Sequence, residues 1–250
     1  MSLATRFSKN GIASAVLCCG VLLFALFPLF SSCSSGGGDE KDDLERAIDP
    51  YAAICLARIN EQRNYDVFFA GDSNIVRGIF EITFADYNCA NLGVSSSTIK
   101  HWIKYNRVVE PGKYGKGDGK KLFLMVGVNS LIIDVFESDA VSKNAALYET
   151  LIKEIKEKFP NLKLYLHSVL PLGKVYEWSP KNIVNQNIRE FNKQIKRIAA
   201  ENGATFIDLY PLYSDGDGWQ KEGLGCGDGI HLAGSAYSIW YDAVRPYLAE

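Results

Sequence analysis

The chain has only three histidines in 250 residues, so chemistry that needs an imidazole has few places to find one. None of the six cysteines forms a CxxC pair, which leaves zinc-ribbon and thioredoxin-like chemistry without support. There is no long basic run, and the formal net charge is −2. Nucleic acid is therefore not an expected partner, because phosphate binding needs clustered Lys and Arg. No glycine-rich phosphate loop opens the first helix of the domain, and no internal repeat is visible. Asp215-Gly216-Asp217-Gly218 lacks the ligand spacing and downstream Glu of a calcium loop and reads as a turn. What remains is an ordinary globular composition, 47% hydrophobic and 22% charged, in a chain long enough for one sizeable domain and a short appendage.

The appendage is at the N-terminus. Arg6 and Lys9 precede an apolar run from Gly11 to Phe30, followed by Ser31, Ser32 and Cys33. A basic start, an apolar middle and small residues at the end make an export signal. The run is also long enough for an uncleaved membrane helix, which needs about 20 residues. Ending on Cys, it resembles a bacterial lipoprotein signal, with Phe30 where such signals more often carry Leu. That resemblance implies cleavage before Cys33 and lipid on its thiol. Ser34-Ser35-Gly36-Gly37-Gly38 and Asp39-Glu40-Lys41-Asp42-Asp43 then form a flexible, solvated tether. The expected layout is a signal over 1–32, a tether over 33–49 and a domain over 50–250, anchored to a membrane outside the cytoplasm. Cys55, Cys89 and Cys226 are left in the domain, enough for one disulfide of undetermined pairing.

From residue 50 onward, strand-like and helix-like stretches alternate. Tyr65–Ala70, Cys89–Gly93, Leu122–Gly127, Leu162–Val169 and Thr205–Ile207 are five β-rich runs. Leu147, Leu151, Ile155 and Phe159 recur at helical spacing, as do Ile188, Phe191, Ile195 and Ile198 before the Asn202-Gly203 stop. Ala236–Leu248 reads as a last helix. Alternation of this kind predicts parallel strands with helical crossovers, hence a three-layer α/β/α domain on a five-stranded parallel sheet. Ligands in such folds sit beyond the carboxyl ends of the strands.

Those ends carry the polar residues. The first strand runs into Gly71-Asp72-Ser73-Asn74, the second ends in Asn91-Leu92-Gly93, and the third in Gly127-Val128-Asn129-Ser130. Asp228-Gly229-Ile230-His231 stands ahead of the last helix. Each block by itself is ordinary turn or capping sequence. In this order and at these places they resemble the conserved blocks of the SGNH, or GDSL-type, hydrolases. Ser168-Val169-Leu170-Pro171 and Phe206–Tyr210 are similar to the branch with platelet-activating-factor acetylhydrolase subunits and carbohydrate acetylesterases. The likeness spans about residues 60–249; Ser130 departs from it, since that family often has Asp there.

The chemistry of the blocks can be argued from the residues themselves. A serine hydroxyl needs a positioned base to take its proton, and imidazole suits that task. His101 falls in a helical stretch and His167 inside a strand; only His231 follows an Asp at i−3, close enough for Asp228 to orient its ring. The reading is therefore Ser73 as nucleophile, His231 as base and Asp228 as orienter. Backbone N–H groups of Ser73 and Gly93 and the Asn129 amide are the expected oxyanion donors. Asp72 is read as structural, and Trp219, Tyr210 and Tyr213 as core or groove aromatics. The resemblance implies hydrolysis of a short acyl ester, acetyl above all, on extracellular glycans, with no metal or organic cofactor. Acyl transfer to a sugar hydroxyl by the same residues, or glycan binding without turnover, are the alternatives.

Overall fold

A computed structural model of the chain describes residues 65–104, 117–178 and 182–250. The signal, the tether, Cys33 and Cys55 lie outside the described residues.

Five parallel strands form one sheet in the order β2-β1-β3-β4-β5: β1 Val67–Gly71, β2 Cys89–Gly93, β3 Lys121–Met125, β4 Lys163–His167 and β5 Thr205–Ile207. Side chains alternate between the faces with the two-residue period of a strand. Phe68, Ala70, Leu122, Leu124, Leu164 and Leu166 enter one apolar layer; Val67, Phe69, Phe123, Met125 and Tyr165 enter the other. Two-sided burial explains why these strands read as continuous apolar runs rather than alternating ones.

Short helices follow the first two strands: α1 Ser73–Val76, α2 Phe80–Thr83 and α3 Ile99–Lys104. α4 Val128–Ile133 and α5 Ala140–Lys158 follow β3, and α6 Ile183–Glu201 follows β4. α7 Tyr210–Tyr213 and α8 Tyr237–Leu248 close the chain. Ile99 and Trp102 of α3 pack on the first layer with the apolar stripes of α5 and α6. Ile75, Phe80 and the Tyr237, Trp240, Tyr241 and Val244 stripe of α8 cover the second. On that face rings stack across the strands, Phe80 on Phe69 at 4.1 Å, Phe69 on Phe123 at 4.9 Å and Phe123 on Tyr165 at 4.5 Å. Each buried ring contributes about 1.5–3 kcal/mol of apolar burial before the geometry of stacking is counted. The three-layer α/β/α arrangement is the one expected from the alternation.

Two helices begin earlier than their apolar spacing suggests. α5 starts at Ala140 because buried Asn144 bonds Asp134 Oδ2 (2.8 Å) and the Ala140 carbonyl (2.9 Å). α6 starts at Ile183, and its Asn185 and Asn192 face inward. Asn185 bonds both the N–H and the C=O of Leu172 (2.7 and 3.1 Å), and Asn192 does the same for Val169 (2.8 and 2.9 Å). The irregular segment leaving β4 thus has amide side chains in place of ladder partners. α6 stops where expected, at Asn202 and the left-handed Gly203 (φ +60°).

The sheet sets the height of the site. Gly71 is level with Gly93 on one side and Met125 on the other. The chains leaving β1, β2 and β3 therefore rise together at the carboxyl edge, where the chain order reverses around β1.

Candidate active site

β1 ends in a turn that only glycine permits. Gly71 has φ +150°, and a Cβ there would lie 1.9 Å from the Met125 carbonyl oxygen. Asp72 then caps α1, its Oδ1 accepting from the Asn74 N–H at 3.0 Å. Ser73 becomes the first residue of α1, so its own N–H has no acceptor within the helix. Asp72 is 1% exposed and its Oδ2 has no partner; burial pushes its carboxyl up to about 7, against the lowering effect of the Asn74 N–H.

The Asp228 loop is held by its own carboxylate. Oδ1 accepts from the N–H groups of Ile230 and His231, both at 2.9 Å, and Oδ2 lies 2.6 Å from His231 Nδ1. Partial burial pushes the Asp228 carboxyl up, but the backbone N–H and ring of His231 and the N–H of Ile230 outweigh it and hold it well below the usual carboxylate range. An ionised carboxylate only accepts, so Nδ1 must donate, and the neutral ring is left with a lone pair on Nε2. That nitrogen stands 2.7 Å from Ser73 Oγ. A serine, an imidazole and a carboxylate are thus joined by two short hydrogen bonds. Gly227 and Gly229 flank the acid in left-handed conformations, and a Cβ on Gly229 would meet Val175 at 2.2 Å.

The other two histidines are elsewhere. His101 Nδ1 accepts from Thr98 N at 3.0 Å and bonds Thr98 Oγ1 at 2.8 Å, which ties down the start of α3. His167 is fully buried between the rings of Phe123 and Trp240 with neither ring nitrogen partnered, and burial pulls its pKa down to about 3.

Asn129 sits inside α4 rather than capping it; Gly127 holds the cap position. The Asn129 amide donates to the Ser97 carbonyl at 2.9 Å, which fixes its plane. Ser130 Oγ accepts from the Ile99 N–H at 3.1 Å, so the residue that departs from the family pattern joins α4 to α3. Gly93 is placed differently from its expected use. Its N–H is committed to Asn91 Oδ1 at 2.9 Å, and a Cβ there would lie 2.4 Å from the Val76 nitrogen. The glycine serves close packing of β2 against α1. Four residues of the following turn, Val94 to Ser97, close with an N–H···O bond of 3.2 Å, and Ser96 takes the left-handed conformation (φ +63°). The Ser96 N–H is not used by that bond, and the turn is stitched to β1 through Val94 N–H to Gly71 O at 2.8 Å.

These blocks lie within a match to the GDSL-like lipase/acylhydrolase family that extends over residues 72–239. The chain belongs to that family. It is a carboxylic ester hydrolase.

Solved structures show the same fold at low identity. A Streptococcus pneumonia protein provisionally described as a platelet activating factor is 20% identical with a TM-score of 0.69, covering 82% of this chain and 94% of its own. A GDSL-like lipase of Bacteroides thetaiotaomicron is 19% identical with a TM-score of 0.61, covering 83% and 97%. Axe2, an acetylxylan esterase of Geobacillus stearothermophilus, is 16% identical with a TM-score of 0.53, covering 75% and 95%. No curated protein matches the sequence significantly.

Two residues of the site escaped the sequence reading. Asn74 Oδ1 accepts from the Leu232 N–H at 3.3 Å, and its carbonyl accepts from the Tyr237 hydroxyl at 2.6 Å. Both bonds pin the Ser73 turn of this hydrolase to the segment that carries His231. Asn74 was legible only as a neighbour of Ser73, because a buried asparagine looks like any turn residue in sequence. Ser96 left no trace at all, since a left-handed serine is a conformation and not a composition. The backbone N–H of Cys226 donates to the His231 carbonyl at 3.0 Å. Cys89 and Cys226 are both free thiols. Tyr213 is core, Tyr210 bonds the Gly218 carbonyl at 2.9 Å, and Asp215 Oδ1 accepts from Asp217 and Trp219 N–H as a turn does. Beside Asp228 opens a cleft of about 560 Å³, with Lys174, Asp215, Gln220 and Glu222 in its wall.

Proposed function

We propose that this protein hydrolyses short acyl esters, acetyl above all, on glycans outside the cell, with Ser73 as nucleophile, His231 as base and Asp228 as the residue that orients it. The observation that carries the reading is the pair of short bonds, Ser73 Oγ to His231 Nε2 at 2.7 Å and His231 Nδ1 to Asp228 Oδ2 at 2.6 Å. Ser73 Oγ attacks the ester carbonyl carbon while its proton passes to Nε2. The tetrahedral intermediate collapses to an acyl-serine as its bond to the sugar oxygen breaks and the imidazolium gives that oxygen the proton, releasing the sugar hydroxyl. Water then attacks the acyl-serine as His231 takes its proton, and the imidazolium passes that proton to Ser73 Oγ as the Oγ–acyl bond breaks and the carboxylic acid leaves. For the oxyanion we assign the Ser73 N–H, the Asn129 amide and, in place of Gly93, the unused Ser96 N–H.

Lys174, Asp215, Gln220 and Glu222 in the wall of the neighbouring cleft carry ammonium, carboxylate and amide groups that suit a hydroxyl-bearing ligand, which supports a glycan as the alcohol part of the ester. Acetyl as the acyl group is drawn from the acetylxylan esterases among the structural neighbours. The residues before the domain support export and attachment through lipid on Cys33. The test is turnover of p-nitrophenyl esters from acetyl to octanoyl, and of acetylated xylo-oligosaccharides, by the full chain and its Ser73→Ala variant. Rates that fall with acyl length and vanish in the variant are expected. A variant as fast as the parent overturns the serine mechanism, and a preference for octanoyl overturns the short-acyl reading. Labelled palmitate incorporated by the chain but not by Cys33→Ser checks the anchor.

A further inference from the structure

One side chain beside the triad has no part in the ester chemistry. Cys226 is exposed, and its Sγ lies with a carboxylate oxygen of Asp228 and a ring nitrogen of His231 in a group whose atoms are all within 4.8 Å of one another. The loop holds the three together. Cys226 N–H donates to the His231 carbonyl at 3.0 Å, Gly225 and Leu232 form an antiparallel bridge, and Asp228 Oδ1 binds the His231 N–H at 2.9 Å. Sulfur, imidazole nitrogen and carboxylate oxygen are the ligand types of zinc, and three of them leave a fourth position for water.

We propose that Cys226, Asp228 and His231 form a binding site for a thiophilic divalent cation, zinc in the first place, and that its occupation switches the esterase off. The ion is an inhibitor here, not a cofactor. Binding removes one proton, that of the Cys226 thiol, to solvent. A cation on His231 Nδ1 takes the place of the hydrogen facing Asp228, and the neutral ring then carries its proton on Nε2. An Nε2–H can only donate to Ser73 Oγ, so the base is lost. A cation on Nε2 consumes the same lone pair directly. Arg77 Nη1, 3.6 Å from Sγ, is displaced by the ion and opposes it by charge, so the site answers to a rise in free metal rather than holding it permanently. The effect on rate rests on the triad assignment; the binding does not.

The experiment titrates zinc chloride into the full chain during p-nitrophenyl acetate turnover, with EDTA added back, and repeats this with Cys226→Ser. Cobalt(II) is added separately to both proteins as a spectroscopic probe. Expected are inhibition reversed by EDTA, unchanged basal turnover in Cys226→Ser and at least about a tenfold higher zinc requirement in that variant. A thiolate-to-cobalt charge-transfer band in the parent and its absence in Cys226→Ser are expected as well. Equal zinc sensitivity in the two proteins, or no thiolate band in the parent, overturns the site. The band together with zinc-insensitive turnover overturns the switch. A Cys226-dependent band in a protein that cleaves no ester leaves the metal site standing and removes the esterase reading instead.

Discussion

Ser73 Oγ and His231 Nε2 are 158 residues apart in the chain and 2.7 Å apart in space. The distance is fixed from both sides: Asp72 caps the helix that presents the serine, and Asn74 bonds Leu232, the neighbour of the histidine. Removal of the hydroxyl in Ser73→Ala should lower kcat by about 10³-fold or more while leaving folding intact, read by ester turnover beside circular dichroism. Asp228→Asn should lower kcat by about 10⁴-fold, since the amide favours the wrong ring tautomer.

Gly93 serves packing, and the oxyanion donor proposed in its place is the Ser96 N–H. Gly93→Ala should destabilise the fold by about 2 kcal/mol or more, because its Cβ would meet the Val76 nitrogen at 2.4 Å. Ser96→Gly should do the reverse, raising stability by about 1 kcal/mol through relief of the left-handed serine, with turnover kept because the N–H remains. Urea unfolding and kcat/KM on the same two variants check both.

Asn129→Ala should cost about 10²-fold to 10³-fold in kcat, with a smaller change in KM, as expected for a donor that acts mainly in the transition state. Steady-state kinetics on p-nitrophenyl acetate decide it. A loss confined to KM would assign Asn129 to ground-state binding.

Asp72 makes stability fall with rising pH. Its folded carboxyl holds a proton up to about 7, whereas the unfolded one releases it near 3.8. Between those values the folded state binds more protons, so stability declines as pH rises through the window and stays low above it. Asp72→Asn keeps the capping oxygen and should gain on the order of 1–4 kcal/mol at pH 8 with little gain at pH 4. Urea midpoints at the two pH values measure this.

His167 acts at the other end. Its buried ring stays neutral down to about 3, whereas the unfolded ring takes a proton near 6.5. The unfolded state binds more protons in between, so stability falls as pH drops through that window. His167→Leu should remove this acid loss, and thermal melts from pH 7 to pH 4 should separate it from the parent.

The fold was legible because its information is local. Runs such as Leu122–Val126 are apolar on both faces, and the stripes of α5 and α6 repeat at helical spacing, so neighbour counting suffices. Helix beginnings were not legible where polar residues face inward. Asn144, Asn185 and Asn192 look like surface residues until the backbone groups they satisfy are known. Within the site, Asp228 and His231 were readable as a pair because three residues separate them, and Ser73 because a strand end presents it. Tertiary structure decided the rest. It closed the gap between Ser73 and His231, gave the Gly93 N–H to Asn91, turned Ser96 left-handed and set Cys226 beside Asp228 and His231. Each of these depends on the direction in which an N–H, a lone pair or a sulfur points. Residue order specifies which groups are available, but only packing of distant segments fixes where they aim.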